Sequence, residues 1–144
     1  MLGYGKSGSN GMSVHPYLQF SGNCAEALAF YETALDAKVE FRMNFNEAPE
    51  PPPVPPGWDE KICHVSFSIM GSRLMGSDTP PDYYHKPTGF RVSINLTDYK
   101  TAKTWFDTLA AGGTIDMPLQ QTFWANAFGM VTDRFNIPWM VNCE

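Results

Sequence analysis

Two stretches of this chain carry the same pattern about 75 positions apart, and that repetition constrains the fold more than any other feature. Residues 14–44 read as a strand, a helix and a returning strand, and residues 90–121 repeat the order. Phe30-Tyr31 on the first helix correspond to Trp105-Phe106 on the second at an offset of 75. The strands Val14–Phe20 and Arg91–Leu96 align at 76, so one residue slips between strand and helix. A repeat of this size implies two similar modules folded against each other. Pockets favour such junctions, so a ligand cleft is expected between them.

Composition removes several classes of function. With 144 residues, 43% of them hydrophobic, the chain suits one domain with a sizeable core over residues 12–144. The formal net charge is −5 and no two Lys or Arg residues are adjacent, which argues against a nucleic-acid partner. No apolar run approaches the roughly 20 residues that cross a bilayer, so neither a membrane span nor a signal peptide is expected, and the location is read as cytoplasmic. Cys24, Cys63 and Cys143 are odd in number and far apart, which speaks for buried free thiols rather than disulfides or structural zinc. Residues 1–11, rich in Gly and Ser, read as a flexible leader.

Val14–Phe20 alternates Val14, Leu18 and Phe20 against His15, Tyr17 and Gln19, as a strand does. Asn23 with Glu26 three residues on resembles a capping box ahead of the helix CAEALAFYETAL, and Val39–Phe45 alternates again. Residues 49–58, PEPPPVPPGW, hold six prolines and read as a stiff loop within 46–60. Lys61–Met70 and Ser72–Gly76 form an expected hairpin, completing module one at residues 12–77, and 78–89 is a turn-rich linker. Module two, 90–144, opens with Arg91–Leu96. Asp98 then caps the helix YKTAKTWFDTLAA, and strands follow at Ile115–Gln120, Gly129–Asp133 and Pro138–Asn142. The fold class is therefore α+β, two tandem βαβββ modules forming a curved mixed sheet around a cleft. The polar alternates that turn away from the helices are His15, Tyr17, Gln19, His64, Ser66, Ser68, Arg91, Ser93 and Asn95.

The paired modules, the opening PYLQFSGNCAEALAFY, the linker after LMGSD and above all FWANAFGMVTDRFNIPWMVN resemble the PhnB-like branch of the vicinal oxygen chelate superfamily, which includes glyoxalase I and bleomycin-resistance proteins. The resemblance runs from about Met12 to Glu144. It implies a homodimer, and in metal-dependent members a divalent ion held by one residue from the first and one from the last strand of each module. Those positions fall here on His15, about Gly76, Arg91 and Met140. Only His15 among them suits a divalent cation, and a guanidinium at Arg91 repels one. No metal or other cofactor is therefore expected, with His15 the one candidate ligand and a rearranged set of His15, His64 and Asp133 the alternative. Some members of the branch carry a ubiquinone-methyltransferase name, but no glycine-rich loop follows a strand here.

The candidate ligand-binding residues are His15, Tyr17, His64, Arg91, Trp124 and Met140. An inward Arg91 needs an anion, supplied either by an internal Asp or Glu or by an acidic ligand. Trp124, next to Phe123, offers a face for a flat or apolar ligand, whereas Trp139 suits the core or a subunit contact better. Three functions follow in order: a small-molecule binding protein whose cleft takes a small anionic or aromatic ligand; a divalent-metal lyase, isomerase or dioxygenase-like enzyme with His15 as ligand or base; and a structural dimer.

Overall fold

The order strand, helix and three strands is present in each half of the computed structural model, which describes residues 11–144. The expected leader lies, but for Gly11, outside the described residues. The first half contains β1 (Tyr17–Phe20), α1 (Cys24–Leu35), β2 (Lys38–Asn44), β3 (Ile62–Ile69) and β4 (Ser72–Asp78). The second contains β5 (Val92–Leu96), α2 (Tyr99–Ala110), β6 (Thr114–Gln120), β7 (Ala127–Thr132) and β8 (Pro138–Cys143). The chain divides into two compact units between Tyr84 and His85.

Hydrogen bonding makes one four-stranded sheet in each half, in the orders β1-β4-β3-β2 and β5-β8-β7-β6. Both are mixed: β1 runs parallel to β4 and β5 to β8, and the remaining pairs are antiparallel. The one-residue slip of the repeat is visible in the burial, where Leu18 and Ile94, 76 positions apart, are both buried on their strands. Helix α1 packs on β3 and β4 through Tyr31, whose ring stacks on Phe67 with centroids 6.3 Å apart. Helix α2 packs on β6, β7 and β8 through Ala102, Phe106 and Leu109. Each large apolar side chain buried in this way contributes about 1.5–3 kcal/mol.

Close approach of α2 demands a glycine at Gly129 on β7, where a Cβ would stand 2.7 Å from the Phe106 ring and 3.0 Å from the Leu119 backbone. The Phe106 ring occupies the space a side chain would need.

Three local expectations are corrected. The first strand starts at Tyr17, not Val14, because Pro16 has no N–H for a ladder, and Val14 is 98% exposed. The Asn23–Glu26 capping box does not form: the Asn23 side chain makes no cap hydrogen bond. The buried carboxylate of Asp78, at the end of β4, does that work instead, taking the Cys24 N–H at 2.8 Å on Oδ1 and the Ile62 N–H at 2.9 Å on Oδ2. A carboxylate at a helix N-terminus answers both an orphan donor and the helix dipole. Finally, residues 46–60 are not wholly irregular, since a turn of 3-10 helix covers Phe45–Glu47 and the Glu47 carboxylate receives the Asn44 N–H. The Asp98 cap on α2 forms as expected, accepting the Thr101 N–H at 3.1 Å.

Candidate functional site

Residues paired across a ladder project from the same face, so register identifies what each sheet turns away from its helix. In the second module Ser93 pairs with Met140, Met140 with Met130 and Met130 with Met117, a row that ends in three thioethers. Gly129, Val131 and Trp139 occupy the opposite, helix-covered face. Arg91, immediately before β5, shares the face of Ser93.

A pocket of 820 Å³ opens on this face, lined by Lys86, Phe90, Arg91, Met130, Thr132 and Met140 together with neighbouring prolines. Two of the expected ligand-binding residues, Arg91 and Met140, thus meet there. Arg91 is held by one nitrogen. Its Nη1 donates to Asp116 Oδ2 at 3.0 Å, to the Trp139 carbonyl at 3.2 Å and to the Val131 carbonyl at 3.4 Å. The internal anion considered for Arg91 is therefore real. A break in register between Ile115 and Met117 leaves Asp116 unpaired in the ladder, and its carboxylate reaches Thr132 and Arg91. The same Oδ2 receives the Thr132 hydroxyl at 2.7 Å. That hydroxyl, and then Arg91, hold the Asp116 carboxyl below the usual carboxylate range.

In the first module Tyr17 pairs with Met75, Met75 with Ser66 and Ser66 with Phe41, and His64 stands on the same face opposite Met43. The Tyr17 hydroxyl lies 3.0 Å from His64 Nδ1, and the Phe41 ring is 6.2 Å from the imidazole. Partial burial lowers the His64 pKa and favours the neutral ring. His15 lies on the approach to β1, two residues before Tyr17. It lines a pocket of 440 Å³ with Glu40, Ser68 and Arg73, in which the Glu40–Arg73 ion pair spans 3.6 Å. The proline-rich segment supplies Pro52, Pro53, Val54 and Pro55 to one wall of a third pocket, of 810 Å³, which Asp78 to Tyr83 also line.

The positions implied for a metal do not suit one. Gly76 has no donor side chain, and a Cβ there would meet the Leu18 carbonyl at 2.9 Å. Met140 offers a soft thioether, and Arg91 is a cation already bound to Asp116. Among the described residues no three His, Cys, Asp or Glu side chains form a metal-holding group. Asp133, the carboxylate of the rearranged set, has a structural role within the second module. That buried carboxylate accepts the Phe135 and Ile137 N–H groups at 2.8 and 3.0 Å and the Trp139 indole N–H at 2.8 Å, closing the β7–β8 turn. Trp139 is accordingly core. Trp124 is 53% exposed, edge-on to Phe123 at 4.6 Å and to Phe128 at 5.3 Å, and Phe123 is 95% exposed.

The model of one family, the glyoxalase/bleomycin resistance protein/dioxygenase superfamily, matches residues 13–141. The chain belongs to this superfamily. Among its relatives, protein YjdN of Escherichia coli K12 is 40% identical over 139 residues, covering 91% of this chain and 95% of that protein. Among solved structures, protein PA1353 of Pseudomonas aeruginosa is 42% identical with a TM-score of 0.83, covering 92% of this chain and 98% of that one. A Bacillus cereus PhnB protein, described as a putative 3-demethylubiquinone-9 3-methyltransferase, is 23% identical with a TM-score of 0.75, covering 92% of this chain and all of that one, and shows a shared fold. The superfamily resemblance drawn from the motifs is thereby shown, as is the tandem βαβββ fold, and the likeness to the PhnB protein is one of fold.

Sequence reasoning missed Lys86, Met130, Thr132 and Asp116. Lys86 sits in a turn-rich segment without periodicity, and Asp116 at a register break that alternation does not reveal. Met130 and Thr132 were legible in principle, since they alternate with Val131 on β7.

Proposed function

We propose that this superfamily member is a small-molecule binding protein whose second module takes a small anionic ligand. The supporting observation is the pocket in which the Arg91 guanidinium and the Lys86 ammonium face an apolar wall of Met130 and Met140. Charge beside thioethers suits an anion carried on an organic body. Tyr17 and His64, joined at 3.0 Å on the polar face of the first module, are a second group of proposed ligand contacts, with His15 and Trp124 completing the set. The reading includes a cytoplasmic homodimer without a nucleic-acid partner. The net charge of −5 supports the last point, and the exposed Phe123 and Trp124 support a subunit contact. Among the described residues no helix is long and apolar enough to cross a membrane.

The test is a titration of isotopically labelled protein with acetate and with inorganic phosphate, alongside elemental mass spectrometry of protein purified without tag or chelator. Saturable shifts at Arg91 and Met140 with substoichiometric metal are expected. No saturable shift with either anion removes the anion reading, and about one equivalent of zinc, nickel, manganese or iron per chain replaces it with the metal-enzyme reading.

A further inference from the structure

The way Arg91 is anchored narrows the ligand further, on the premise that the pocket binds an anion as proposed above. All three of its hydrogen bonds to the protein use Nη1. Among the described residues no partner engages Nε or Nη2. Those two nitrogens form the edge of a guanidinium whose parallel N–H groups match the two oxygens of a carboxylate. Asp116 and the two carbonyls therefore fix the plane of the group while leaving its bidentate edge available. With the side chain 24% exposed, that edge is reachable from the pocket Arg91 lines.

Charge narrows the choice again. Lys86 and Arg91 bring two positive charges to the pocket, and Asp116, bonded to Arg91 and within electrostatic reach of Lys86, brings one negative charge. One positive charge remains. A singly charged ligand neutralises it, whereas a dianion places its second charge near Asp116 without a counter-charge. Beyond the charged end, Phe90, Met130, Met140 and Pro138 form the wall, which rewards an apolar body rather than a second polar group.

We infer that the ligand class of this pocket is a monocarboxylate on an apolar organic body, bound edge-on by Arg91 Nε and Nη2 with its body against Met130 and Met140. Phosphate and phosphonate dianions are the weaker class. The recognition is non-covalent and requires no metal or co-reactant.

The experiment uses protein carrying carbon-13 in its methionine methyl groups, with Met130 and Met140 assigned by Met130→Leu and Met140→Leu. It compares benzoate with phenylphosphonate at a pH where the phosphonate is doubly charged. Benzoate is expected to move both methyl signals and to bind about tenfold more tightly than phenylphosphonate, the scale of one uncompensated charge near a half-buried site. Asp116→Asn keeps an acceptor for Arg91 but removes the negative charge, so the preference should shrink or reverse in that variant while Met130 and Met140 still respond. Phenylphosphonate binding as tightly as benzoate to the unmodified protein overturns the carboxylate inference and leaves the anion reading standing. If neither compound moves the methyl signals, the anion reading fails and this inference with it. An Asp116→Asn preference equal to that of the unmodified protein overturns the charge argument.

Discussion

Arg91 and Asp116 meet at 3.0 Å across 25 residues of sequence, and the contact engages a single nitrogen of one and a single oxygen of the other. The pair is neither a surface ornament nor a sealed core contact: the side chains are 24% and 29% exposed. Solvent therefore screens part of the attraction, and the Thr132 hydrogen bond is the largest single influence holding Asp116 ionised, ahead of the guanidinium's hydrogen bond and charge.

This arrangement gives stability a defined pH dependence. The folded-state pKa of Asp116 is depressed, so its contribution is present above the unfolded carboxyl value and is lost as pH falls through the folded value. Urea unfolding of wild type and Asp116→Asn should differ by about 1 kcal/mol near neutral pH and converge in acid. A difference independent of pH would mean that ionisation of Asp116 has no part in it.

The two buried aspartates make a stronger prediction. Asp78 satisfies two backbone N–H groups from two separate segments, and Asp133 satisfies two backbone N–H groups and the Trp139 indole. Replacing either by Ala leaves buried donors without acceptors, at a cost of roughly 3 kcal/mol or more. Asn should lose less, because one amide oxygen remains. Denaturant melts of the four variants check the ranking, and Asp133→Ala should in addition alter Trp139 fluorescence in the native state.

How much of this was legible in the sequence depends on the range of the interaction. Alternation placed nearly every strand, and Asp98 disclosed its own cap because Thr101 is three residues away. Asn23 and Glu26 had the same local form and misled, since the true cap comes from 54 residues downstream. Strand parity put Arg91 on the face of Ser93. It said nothing of Asp116, which a register break exempts from alternation, nor of the Met117, Met130 and Met140 row, which exists only once three strands are paired.

His64 provides a local test of the first module. Partial burial lowers its pKa, so protonation is disfavoured in the fold and stability falls as pH drops from the unfolded imidazole value through the depressed folded one. The imidazole resonance of His64 should titrate below the ordinary histidine midpoint. Tyr17→Phe should leave that direction unchanged, because burial rather than the 3.0 Å hydroxyl contact is the cause. A midpoint at or above the ordinary value in the unmodified protein contradicts this account.

Gly129→Ala tests the packing of α2. The added methyl group meets the Phe106 ring and the Leu119 backbone together, an overpacking worth about 1–3 kcal/mol. Phe106→Leu in the same chain relieves one of the two contacts and should recover part of the loss, a coupling that thermal melts of the double-mutant cycle measure.

The carboxylate of Asp78 also sets an order of events during synthesis. The first turn of α1 emerges from the ribosome well before residue 78 is made, and until then the Cys24 N–H lacks its native acceptor. The start of β3 waits for the same side chain through Ile62. A helix of 12 residues is marginal by itself in water, so the first module gains its structure when its last strand arrives, in one late step. A nascent chain that pauses before residue 78 has the residues of α1 and β3 but neither the cap of the one nor the anchor of the other, and in that interval their apolar side chains stay exposed.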